Sequence, residues 1–167
     1  MDKKNVAYTL VNIILAHFFI SVFAGLVFGV THPLRFLYTE QNPYLFAISA
    51  SLVAMPLYYF AGYLFILGKN SLVNMDKALL KASALFMLIL LVCYGLCYIL
   101  TYFKLINNAW MYYVLINYPN ALPFNNISFK VDGQNLIFIL SALTAPIAFY
   151  LGGLTRYKYE RGIKRRG

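Results

Sequence analysis

Four times along this 167-residue chain, a run of about twenty or more residues passes without a single Asp or Glu. The runs extend from Val6 to Val30, Tyr44 to Gly68, Leu79 to Phe103 and Leu136 to Leu154, and Lys81, near the start of the third, is the one Lys or Arg inside them. Each is long enough to carry a helix across the hydrocarbon core of a bilayer with modest tilt. With 62% hydrophobic residues, 11% charged residues and a mean hydropathy of +0.68, the chain falls outside the range of soluble domains. The expected fold is all-α: an integral membrane protein built as a four-transmembrane-helix bundle, with residues 1–167 forming one polytopic domain. The first run follows Lys3 and Lys4, as the apolar part of a signal peptide would, but exceeds its usual length, so a retained helix is expected. Asp2 excludes N-myristoylation, and the C-terminus carries no prenylation box.

Lys and Arg in short loops stay on the cytoplasmic side, which orients the four runs. Eleven of the fourteen collect on one side: Lys3, Lys4, Lys69, Lys77, Lys81, Arg156, Lys158, Arg161, Lys164, Arg165 and Arg166. Arg35, Lys104 and Lys130 fall on the other. Both termini are expected in the cytoplasm. The frequent Asn, Lys, Ile and Tyr fit a low-GC bacterium, whose cytoplasmic membrane is the natural location. The basic tail at 155–167 acts first as an anchor for the fourth helix. Through Arg156, Lys158, Arg161, Lys164, Arg165 and Arg166 it also attracts anionic lipid headgroups, at about 1 kcal/mol per basic residue near the surface. No nucleic acid partner is needed to explain it.

The connection from Lys69 to Ala78 is short and makes the second and third helices neighbours. Of the two outer loops, the first carries His32, Arg35 and Glu40 between Pro33 and Pro43, which disfavour continued helix. The second, about 104–135, is too long for a plain turn and is rich in aromatics. Within it, "NNAWMYYVLINYP" predicts a short helix from about Asn107 to Asn117, lying at the interface or re-entering the bilayer. Trp110, Tyr112, Tyr113 and Tyr118 are its candidate contacts for a partner. "ISFKVDGQN" predicts a short extended stretch, and Asn126-Ile127-Ser128 matches a glycosylation sequon.

Ionisable groups at membrane depth point to ion paths or catalysis, and His17 is the candidate here. His17, Ser21, Gly25 and Gly29 share one stripe of the first helix at four-residue spacing, a small-residue packing face or a ligand face. Further small residues, Ala47, Ala50, Ser51 and Ala54 in the second helix and Ser141, Ala145, Ala148 and Gly152 in the fourth, extend the packing theme. Pro56 and Pro146 interrupt those two helices and are candidate hinges.

Cys93 and Cys97, in "CYGLC", face one another at i to i+4 on the third helix. With four helices and one Cys pair, the chain resembles membrane thiol oxidoreductases of the disulfide-generating and vitamin K epoxide reductase types, which implies quinone-coupled thiol chemistry. Those enzymes use C-x-x-C and further loop cysteines, whereas this chain has C-x-x-x-C and no other Cys. The helix count is similar to that of small multidrug-resistance transporters, but the membrane Glu of that family is absent from the four runs. Paired membrane carboxylates, a phosphate loop and a zinc motif are likewise missing, so no cofactor, metal or catalytic residue is assigned. The function expected is that of a non-catalytic accessory or interaction subunit of a larger membrane or envelope complex, bound to another membrane protein. The alternatives are a homo-oligomeric transporter or channel for a neutral or hydrophobic substrate and, more remotely, the thiol oxidoreductase.

Overall fold

The computed structural model describes residues 3–28, 43–66, 73–106, 109–118, 120–121 and 139–164. They form five helices: α1 Lys3–Phe28, α2 Pro43–Ile66, α3 Met75–Tyr102, α4 Ala109–Ile116 and α5 Ser141–Lys164. The described residues contain no strand. Stretches within α1 (Lys3–Leu26) and α3 (Met75–Tyr102) are long and apolar enough to cross a membrane; the apolar part of α2, Ser51–Ile66, is shorter. α5 starts later than the fourth apolar run and continues past Leu154 to Lys164, so Arg156, Lys158 and Arg161 sit on helical turns and not in an irregular tail.

Ring and side-chain contacts fix the helix directions. Tyr8 meets Phe65 and His17 meets Tyr58, which makes α1 and α2 antiparallel. Leu79 packs at Gly153, while Ser83 and Met87 share a crevice with Pro146 and Tyr150, so α3 and α5 are antiparallel as well. The start of α1, the end of α2, the start of α3 and the end of α5 gather at one end of the bundle. The basic residues of α3 and α5 share that end because the helices reverse direction between them.

The tightest helix approach joins α2 and α5. A Cβ on Gly62 would run into the Phe149 carbonyl, and one on Gly152 into the Tyr59 carbonyl. Glycine is required at both positions because the obstacle is backbone, which cannot rotate aside. Ala54, Ala145 and Ala148 extend the same seam, and Tyr58, Ile66, Leu79, Phe86 and Leu90 fill the core around it. Pro56 and Pro146 are both accommodated inside continuous helices.

α3 ends in a sharp reversal. The Leu105 N–H donates to the Leu100 carbonyl and the Lys104 N–H to the Thr101 carbonyl, with Lys104 at φ 53°. This is the Schellman arrangement, with lysine where glycine usually sits. The reversal folds α4 back along α3, where Trp110 and Tyr113 pack on Tyr94 at centroid distances of 5.2 and 5.4 Å. The helix expected at Asn107 to Asn117 is found at Ala109–Ile116. The first outer loop, the predicted extended stretch and the sequon lie outside the described residues.

Candidate functional site: a buried polar junction

α4 stops at Ile116, and a helix end leaves carbonyl groups without intrahelical partners. Two side chains of α1 take up this need. His17 Nε2 lies 2.7 Å from the Ile116 carbonyl, and the Ser21 hydroxyl donates to the Tyr118 carbonyl. Gly25, one turn further, lies beside the Tyr118 ring, whose Cε1 would be 3.8 Å from an added Cβ, an ordinary contact. The stripe His17, Ser21 and Gly25 thus faces the end of α4; Gly29 lies outside the described residues.

The Ile116 carbonyl fixes one proton of the His17 ring. A carbonyl only accepts, so Nε2 carries a proton, and in the neutral ring Nδ1 is then the acceptor. The Tyr58 hydroxyl, 2.9 Å away, donates to it. Phe86 closes the ring from a second side at 5.1 Å, edge-on. Ser21 and Asn120 also lie in hydrogen-bond reach of the Tyr58 hydroxyl.

A second set of bonds ties α4 to the start of α5. The Tyr113 hydroxyl and Ser141 Oγ are 2.8 Å apart, and Asn117 Nδ2 donates to the Tyr113 oxygen at 2.9 Å and to the Ser141 carbonyl at 3.0 Å. Asn120 Nδ2 reaches Asn117 Oδ1 at 3.3 Å. Asn117 and Asn120 are 0% and 1% exposed, so the polar groups meet one another and not solvent. Such a network is costly unless nearly complete, and Asn120 Oδ1 is its one buried acceptor without a partner.

Chemically, the junction is built to hold backbone in place. The Ser21 proton points to a carbonyl and His17 Nε2 is itself protonated, so the two do not form a nucleophile and base. Among the described residues no group of three or more His, Cys, Asp or Glu is placed to hold a metal. Cys93 is half-buried and Cys97 buried, both as free thiols, next to the Tyr94, Trp110 and Tyr113 cluster.

The remaining candidates divide by position. Of the four loop aromatics, Tyr112 is exposed, Tyr118 half-buried, and Trp110 and Tyr113 buried against α3. Arg156 donates to the Tyr63 hydroxyl at 2.9 Å, pairs with Glu160 and stacks over the Tyr63 and Tyr159 rings. Lys158 and Arg161 are exposed; Arg165, Arg166 and the Lys164 side chain lie outside the described set. Sequence reasoning missed Tyr58, Asn117, Asn120 and Gly62. The "NYPN" run placed two amides beside a helix end, which was the available signal for Asn117 and Asn120. Comparison with protein-family models, curated proteins and solved structures gives no match.

Proposed function

We propose that this chain is a multi-pass membrane protein in which α1, α2, α3 and α5 cross the bilayer, both termini are cytoplasmic, and α4 re-enters from the outer side. It serves as a non-catalytic accessory subunit that binds another membrane protein through its apolar helix faces. The observation that carries this reading is the apolar surface left outside the packed core. Only 22% of the apolar window in each of α1 and α3 is buried. Phe19 is 66% exposed, Leu26 81% and Phe60 63%. A core helix of a soluble protein would turn such residues inward, and water-exposed apolar patches of this extent are rare.

The polar junction supports the re-entrant part. His17 lies near the middle of α1, so the break after α4 falls near mid-depth. Backbone groups there must be satisfied by protein, and His17 and Ser21 do so. Among the described residues, the polar groups of the junction largely bond to one another, and the exposed apolar helix faces and Tyr112 are the surfaces offered to a partner.

The test is a mild-detergent pull-down of tagged protein at native expression, with partners identified by mass spectrometry and the complex mass determined. A stoichiometric larger membrane protein supports the reading. A homo-oligomer with no other component overturns it in favour of the transporter. Recovery in the soluble fraction after alkaline carbonate extraction would refute the membrane placement itself.

A further inference from the structure

At the end of the bundle where α3 begins and α5 finishes, a notch of about 390 Å³ is lined by Asp76, Leu154, Tyr157, Lys158, Arg161 and Gly162. Its charges are mixed, two cations facing one carboxylate. Asp76 makes no ion pair with Lys158 or Arg161, although the three line the same notch; the ion pair found nearby is Arg156 with Glu160. Opposite charges that share a notch without closing on each other leave space for a ligand that carries both signs. Tyr157 is 7% exposed and its hydroxyl accepts from Arg161 at 3.2 Å, which holds the guanidinium at the rim. Leu154 gives the wall an apolar portion.

We propose that this notch binds the headgroup of an aminophospholipid, its phosphate between Lys158 and Arg161 and its primary ammonium at Asp76. The proposal rests on the membrane reading above, since it requires this end of the bundle to lie at a headgroup layer. Two donors on one side match a phosphate, for which arginine is well shaped. A purely anionic headgroup would satisfy the cations but meet Asp76 with no counter-charge. Asp76 also complements the N-terminal dipole of α3, as an acidic first-turn residue does, so its substitution must be judged by lipid preference and not by stability alone.

The experiment uses the full chain in maltoside detergent, titrated with short-chain phosphatidylethanolamine or phosphatidylglycerol, and bound lipid is counted by native mass spectrometry. The wild type is expected to favour phosphatidylethanolamine about three- to fivefold, the upper part of the range an exposed ion pair allows. Asp76→Asn should abolish that preference, whereas Arg161→Gln should weaken both lipids together. Equal binding of the two lipids by the wild type, or an unchanged ratio in Asp76→Asn, overturns the proposal. Free phosphoethanolamine binding as tightly as the lipid overturns the lipid as its source. Carbonate extraction reports separately on membrane placement: protein that stays in the membrane fraction yet shows no lipid preference refutes the headgroup site alone.

Discussion

Replacing Gly62 or Gly152 with Ala should separate α2 from α5 at the tightest seam of the fold. In each case the new methyl meets backbone of the facing helix, the Phe149 carbonyl or the Tyr59 carbonyl, so relief requires moving a whole helix. Forcing a methyl into a packed interface typically costs about 1–3 kcal/mol, and a gap of under 1 Å already forfeits a quarter to a half of the dispersion energy of the atoms it separates. Set against this, Gly→Ala in a helix is worth roughly 0.5–1 kcal/mol in the opposite direction. The net expectation is a loss of about 1–2 kcal/mol for either substitution. Gly95 and Gly162 supply the control, since a Cβ at either meets nothing within 4 Å and the helix gain stands alone. The double variant Gly62→Ala, Gly152→Ala should cost less than the sum of the singles, because the second methyl enters a seam the first has opened. Unfolding in mixed micelles, followed by the fluorescence of Trp110, the sole tryptophan, gives all five values on one scale. If Gly62→Ala proved no more costly than Gly95→Ala, the close approach of α2 and α5 would be refuted.

The junction and the α3 reversal make further predictions. Tyr58→Phe leaves His17 Nδ1 buried without a donor and should cost about 1–2 kcal/mol, while His17→Ala, which also strips the Ile116 carbonyl, should cost about 3 kcal/mol; equal unfolding midpoints for wild type and Tyr58→Phe would remove the hydrogen bond from the account. Asn117→Leu breaks the bonds to Tyr113 and Ser141 and should speed proteolysis at the α4–α5 connection before it changes global unfolding. Lys104→Gly should stabilise by roughly 1 kcal/mol, because lysine there adopts a left-handed backbone that glycine adopts without strain; a destabilisation in the same unfolding assay would contradict the Schellman assignment. Alkylation by a small maleimide should reach half-buried Cys93 faster than buried Cys97, read by mass spectrometry of the singly labelled protein.

The helices were legible because their signal is local. Runs of spanning length without Asp or Glu announce α1, α2 and α3 to within a few residues, and the loop sequence around Trp110 announces α4. The end of α5 was not announced by hydropathy. It carries Arg156, Lys158, Glu160 and Arg161 on helical turns, and polarity ends an apolar run without ending a helix. Arg156 and Glu160 stand at i and i+4, a spacing that supports continued helix and was the signal available.

The candidate site was legible on one side only. Four-residue spacing placed His17, Ser21 and Gly25 on a common face, and that face is the one used. What it faces was not readable, because the partners of His17 and Ser21 are backbone carbonyls 99 and 97 residues away, and a carbonyl has no signature in a sequence. Such carbonyls become available where a helix stops, so the search for partners of a polar residue on an apolar helix belongs at predicted helix ends as well as among side chains. In this chain the end of α4 was predicted within a residue, at Asn117 against an observed Ile116. Pairing that end with the lone apolar-helix histidine would have brought α1 and α4 together before any coordinates. It would also have placed the small residues after His17 beside that chain segment, while the close helix contact that requires glycine falls to Gly62 and Gly152 on α2 and α5.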